Sequence, residues 1–275
     1  MRRLGCIVGF GALLVSGFQL VCLAEHYFDS AGVKIHYVIQ GDGEAVVLLH
    51  GWAVDHTMWG KNRWGDNLIL TTLARDFRVI ALDCRGHGKS DKPHDPAAYG
   101  PPMAEDVVRL LDHLQVRTAH VVGYSMGAVL AGYLVAHHPD RVRSVVFGGG
   151  APVLKWDKSH LQKSEDFLKK WQEDKGLQAL SRLLLGEQDR EALALANRSL
   201  HQITVTADAL RKYRGPVLFL YGSQEWDSTK HYVAEARKVF GRGEVVVIPG
   251  ADHFTAPSRP EFRNALVKFL LAQKQ

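Results

Sequence analysis

Gly123-Tyr124-Ser125-Met126-Gly127 closes an apolar run with strand character and opens directly into an apolar helical pattern. A serine on a sharp strand-to-helix turn has its hydroxyl pushed out over the edge of a sheet. Glycines two positions before and after it lack the Cβ atoms that would strike neighbouring chain. The helix beginning there aims free N–H groups and a partial positive charge at any oxyanion formed beside the serine. The five-residue pattern alone recurs by chance, and its bland reading is a glycine-rich turn. With a strand before it and a helix after it, Ser125 is a candidate nucleophile for acyl transfer.

Acyl transfer also needs a base to take the serine proton, an acid to orient that base, and donors for the oxyanion. In Leu48-Leu49-His50-Gly51-Trp52 a strand runs straight into His-Gly. Gly51 lets the backbone turn so that the Trp52 N–H points inward; the second donor is the N–H of Met126, one residue past the serine. His50 reads as a structural brace of this loop, since one turn cannot comfortably serve as both oxyanion hole and base. The base candidate is His253, which alone among fourteen histidines lies just past a late strand in a glycine-containing loop, Pro249-Gly250-Ala251-Asp252-His253. The run Val217 to Tyr221 ends at Gly222, and the loop that follows carries Glu225 and Asp227, either of which could reach the histidine. Asp227 reads as the cap of a helix near 229–240, which puts Glu225 ahead as the acid.

These residues need a scaffold, and the chain supplies an alternating one. Strands are predicted at Val33 to Ile39, Ala45 to Leu49, Arg78 to Leu82, His120 to Val122, Val142 to Phe147, Pro216 to Tyr221 and Glu244 to Ile248. Several are continuous apolar runs, as strands buried on both faces are. Helical patterns lie near 66–75, 103–115, 126–138, 229–240 and 260–272. The alternation implies an α/β fold with a mostly parallel, doubly wound sheet. About sixty residues between Pro152 and Pro216 break it, too many for a simple crossover. Their Leu, Ala, Lys, Glu and Gln favour helices near 159–174, 177–185 and 189–200. The expected organisation is a core of residues 25–152 and 213–275 with a helical cap at 153–212.

The set of motifs resembles the α/β-hydrolase superfamily: strand-His50-Gly51-Trp52, then Asp83-Cys84-Arg85-Gly86-His87-Gly88-Lys89-Ser90, then the Ser125 turn, then Gly250-Ala251-Asp252-His253-Phe254. It is similar to the serine esterase, lactonase and C–C hydrolase branches, over roughly residues 28–272. The resemblance implies Ser125 as nucleophile, His253 as base, and Trp52 and Met126 as oxyanion-hole residues. It points to Glu225 as acid, three positions after the glycine that ends its strand. Most relatives carry Asp there, so Asp227 stays open. Haloalkane dehalogenases and soluble epoxide hydrolases resemble the chain elsewhere but use an Asp nucleophile, and Ser125 argues against both. The Asp83–Ser90 stretch reads as a structural loop marker. The implied activity is hydrolysis of an ester, thioester, lactone or C–C bond in a small, partly apolar substrate. The alternatives are a non-catalytic ligand-binding protein of this fold and a cofactor-free perhydrolase.

Composition narrows the remaining classes. The net charge of +5 is spread along 275 residues with no long basic block, so nothing favours a nucleic-acid partner. No histidine pair has metal-ligand spacing on a helix face, and no phosphate-cradling loop is present, so neither metal nor cofactor is expected. Arg2-Arg3, an apolar run from Leu4 to Leu23 and the small residue Ala24 read as a signal peptide over residues 1–24. This predicts an exported protein, periplasmic or secreted, and contact with a membrane only if the segment stays uncleaved as an anchor. Cys6 and Cys22 fall in that segment, which leaves Cys84 as a buried small residue without a disulfide partner. Trp52, Trp59, Trp156, Trp171 and Trp226 are candidates for an apolar pocket, with core packing as the ordinary alternative.

Overall fold

A computed structural model describes residues 24–62 and 65–274. The predicted export segment lies outside them except for Ala24, and no described helix is long and apolar enough to cross a membrane. The strands are β1 (Ala24–Ser30), β2 (Val33–Gln40), β3 (Ala45–Leu49), β4 (Lys61–Asn62), β5 (Gly65–Asp66), β6 (Arg78–Leu82), β7 (Ala119–Tyr124), β8 (Val142–Gly148), β9 (Val217–Gly222) and β10 (Glu244–Ile248). The helices are α1 (Ile69–Leu73), α2 (Pro101–His113), α3 (Met126–His137), α4 (Lys158–Glu173), α5 (Lys175–Leu185), α6 (Arg190–Leu200), α7 (Ala207–Lys212), α8 (Asp227–Phe240) and α9 (Pro260–Leu271).

Eight strands form one sheet in the order β1-β2-β6-β3-β7-β8-β9-β10, parallel from β6 to β10 and antiparallel at the β1–β2 and β2–β6 pairs. The apolar runs are continuous because both faces are covered. In β3, Val47 and Leu49 enter one core with α2, α3 and α8, while Val46 and Leu48 enter the opposite core with α1 and α9. Burying such side chains on both faces is the main favourable term holding the layers together, at about 25 cal/mol per Å² of apolar surface.

Three features depart from the sequence reading. The β1 strand, Ala-Glu-His-Tyr-Phe-Asp-Ser, has no clean alternation and forms because β2 offers it an antiparallel edge. The two-residue strands β4 and β5 pair only with each other. The helix predicted near 66–75 is a single short segment, α1.

Helices α4 to α7 occupy the interval between β8 and β9. Asp157, Asp174 and Asp189 cap α4, α5 and α6 by accepting backbone N–H bonds of the first turn. Two of these helices reach the loop after β3. The Trp52 indole N–H donates to the Leu193 carbonyl of α6 at 2.8 Å, and its ring meets Trp171 and Phe167 of α4 edge-on at 5.5 and 6.0 Å.

Candidate active site

Ser125 stands between β7 and α3 with φ +53° and ψ −112°, a conformation that costs a non-glycine residue on the order of 1–3 kcal/mol. The crowding around it explains the flanking glycines. A Cβ on Gly123 would stand 2.1 Å from the Gly127 carbonyl oxygen, and one on Gly127 would stand 2.1 Å from that of Leu49. No side chain of any kind fits at either position.

The loops after β9 and β10 bring two partners to this serine. His253 Nε2 lies 3.0 Å from Ser125 Oγ, and His253 Nδ1 lies 2.8 Å from Glu225 Oε1. Glu225 is 2% exposed and His253 6% exposed, so bulk water has little access to the link between them. Glu225 Oε1 also accepts the Trp226 backbone N–H at 3.0 Å, whereas Oε2 is buried without a partner among the described residues. The carboxylate is thus held by one oxygen, the one facing the imidazole.

Asp227 is not brought to His253. The N-cap position of α8 belongs to Trp226, and Asp227 is the first helical residue, with its carboxylate fully exposed 3.8 Å from Lys230. Both expectations for Asp227, as helix cap and as alternative acid, are corrected by this one-residue shift: the first turn of α8 points the side chain into solvent.

The loop after β3 carries Trp52, one of the two expected oxyanion donors. A Cβ on Gly51 would lie 3.6 Å from Ser125 Cβ, so this loop runs directly beside the serine. Neither the Trp52 nor the Met126 backbone N–H has an acceptor among the described residues. His50 braces the loop as expected. It receives the Cys84 N–H at Nε2 (3.0 Å), which leaves Nδ1–H to donate to the Gly51 carbonyl at 2.7 Å. The Gly51 carbonyl and the Trp52 N–H belong to one planar peptide, so fixing the oxygen fixes the direction of the N–H. Burial lowers His50 below the usual imidazole range and outweighs the opposing Asp83 charge, so the ring stays neutral.

Asp83 is the hub beneath this loop. Its carboxylate accepts from His36 Nδ1 (2.9 Å), from the His56 backbone N–H and Nδ1 (both 2.8 Å), and from the Lys89 N–H (2.8 Å). Burial opposes its charge, but these donors win and hold it far below the usual carboxylate range. Burial likewise opposes protonation of His56, yet the Asp83 bond and charge raise it. His36, His56 and Asp83 offer ligand atoms within 4.8 Å of one another, a cluster that no sequence spacing signalled. Both Nδ1 atoms and the Asp83 carboxylate are already engaged as a hydrogen-bonded brace. Arg85 grips Asp106 through Nε (2.8 Å) and Nη2 (2.6 Å), which ties the rest of this structural loop to α2.

The pattern described as alpha/beta hydrolase fold matches residues 44–203, more than half of the chain. The chain belongs to the α/β-hydrolase family. It is 34% identical over 124 residues to 2-hydroxymuconate semialdehyde hydrolase of Pseudomonas sp. strain CF600, covering 45% of this chain and 42% of that protein. It is 34% identical over 124 residues to epoxide hydrolase 3 of Siraitia grosvenorii, covering 44% and 37%. The match thus spans less than half the length of either curated relative. Among solved structures, it is similar to a carboxylesterase structure from Nitrososphaera gargenis, with a TM-score of 0.79 and 23% identity over 91% of this chain and 98% of that one.

Sequence reasoning missed two contacts of this α/β-hydrolase site. The Tyr124 hydroxyl donates to the His253 carbonyl at 2.6 Å and fixes the loop that presents the imidazole. Burial, then the charges of Glu225 and Asp252, hold Tyr124 well above the usual phenol range, so it remains a donor. The Trp226 ring is stacked on His253, with centroids 3.9 Å apart and planes at 19°. No local pattern signals either contact, because each joins segments far apart in sequence. The other candidate tryptophans divide. Trp59 is fully buried in the core with α1 and α9, and Trp156 packs against His160, His201 and Tyr232, whereas Trp52 and Trp171 meet beside the serine loop.

Proposed function

We propose that this protein is a serine hydrolase that cleaves an ester, thioester or lactone bond of a small, partly apolar substrate through an acyl-enzyme on Ser125. The observation that carries the reading is the continuous link from Ser125 Oγ through His253 to Glu225, at 3.0 and 2.8 Å. In this reading His253 Nε2 takes the Ser125 proton as Oγ bonds to the substrate carbonyl carbon. Glu225 orients the ring and stabilises the imidazolium that results. The free N–H groups of Trp52 and Met126 meet the oxyanion, aided by the positive end of α3. His253 then gives its proton to the departing alkoxide or thiolate. Water attacks the acyl-enzyme carbonyl, passes a proton back to His253, and Ser125 recovers it as the carboxylic acid leaves. Trp52 and the exposed Phe167, which meet edge-on beside the loop, support an apolar substrate portion.

A fluorophosphonate probe tests this directly: it should label the wild-type protein, and Ser125→Ala should abolish labelling. A series of fluorogenic esters of rising acyl length should then be turned over by wild type and not by Ser125→Ala. Labelling of the alanine variant at another serine would refute the assignment.

A further inference from the structure

We propose that Trp226 is a positioning residue, which holds the His253 imidazole in line and stabilises its charged form through the face of the indole. This rests on the triad reading above and extends it to a group that the hydrogen-bond chain does not include. Trp226 sits at the N-cap of α8, a position that Ser, Thr, Asp and Asn favour, yet it makes no side-chain cap bond. It also leaves 49% of its surface exposed. Neither local helix stability nor core packing accounts for a large aromatic ring here. The indole instead lies flat on the imidazole. Its backbone N–H meets the same Glu225 oxygen that receives His253 Nδ1.

His253 has aromatic neighbours on its other sides. The Tyr124 ring is 5.4 Å away and tilted by 46°, and Phe254 stands edge-on at 5.6 Å and 87°. Among the described residues Trp226 is thus the one ring stacked face to face with the imidazole, and about half of it is open to solvent. Two consequences follow. Stacking restricts rotation of the imidazole, so Nε2 stays towards Ser125 and Nδ1 towards Glu225. When His253 takes the serine proton it becomes a cation within 6 Å of an indole face, which attracts it. Glu225 accepts from Nδ1; the Asp252 carboxylate turns outward to cap the Phe254 and Thr255 N–H groups; and Tyr124 is a neutral donor to the backbone.

The test compares Trp226→Leu and Trp226→Phe in the full chain by two readouts that need no natural substrate. One is the NMR titration of the His253 ring, assigned by its loss in His253→Gln. The other is the pH profile of fluorophosphonate labelling at Ser125. Removing the indole face should move both midpoints down by about half a pH unit and slow plateau labelling about three- to tenfold. Trp226→Phe should recover at least half of each change, because it restores a π face. Should Trp226→Leu fail to fold, Trp226→Met takes its place. Unmoved midpoints, or a Phe variant no better than the aliphatic one, would overturn the proposal. Absence of wild-type labelling would instead refute the triad reading, and the NMR midpoint would still decide the stack.

Discussion

Exchange of Glu225 for Gln isolates the charge that faces His253 while keeping the shape of the side chain. Glu225 is 2% exposed and its Oε1 lies 2.8 Å from His253 Nδ1. At an effective dielectric near 20, unit charges about 4 Å apart attract by about 4 kcal/mol. That attraction is present only once the imidazolium forms, so losing it raises the barrier and slows the reaction by about three powers of ten. A glutamine amide can also turn its NH₂ towards Nδ1 and favour the wrong tautomer, which pushes the loss towards about 10⁴-fold. We expect Glu225→Gln to fall by 10³ to 10⁴ in both ester turnover and labelling rate, with near-normal melting. Asp227→Asn is the control. Its carboxylate is fully exposed beside Lys230, so activity should stay within about twofold of wild type and melting should be unchanged. A Glu225→Gln variant retaining a tenth of wild-type activity would refute the argument, and an inactive Asp227→Asn would move the acid role.

Two further outcomes test the scaffold. His87 is fully buried, and that burial, with His50 next to it, lowers its pKa from 6.5 to about 3. The unfolded chain therefore takes this proton first, and stability present above pH 6.5 is lost as pH falls towards 3, at up to about 1.4 kcal/mol per unit. His87→Asn keeps a donor for the Arg85 carbonyl but does not titrate, so its urea midpoint should drop less than wild type between pH 7 and pH 4; equal drops would contradict this. Gly127→Ala places a Cβ 2.1 Å from the Leu49 carbonyl oxygen, where only backbone movement can relieve it, whereas Gly32→Ala meets nothing within 4 Å and incurs only backbone strain. Thermal melts should show a far larger loss for Gly127→Ala, and similar losses would show that the turn is not tightly packed.

What the sequence by itself determined is what local chemistry dictates. Ala45–Leu49 reads as a strand because a strand covered on both faces must be apolar throughout, and its residues indeed divide between two cores. Ser125 reads as a turn serine with an exposed hydroxyl because Gly123 and Gly127 flank it, and the contacts that exclude a Cβ there lie within a few residues or on the adjacent strand. The helices near 159–200 follow from composition. Tertiary structure decided the rest. Glu225 and Asp227 are two residues apart and chemically alike, and only the start of α8 turns one under His253 and the other into solvent. The Asp83 hub joins His36, His56 and Lys89, and the stack of Trp226 on His253 joins the β9 and β10 loops. Side-chain direction at a loop depends on how separate strands align in the sheet. That alignment is set by packing across the whole core, and no short window of sequence contains it.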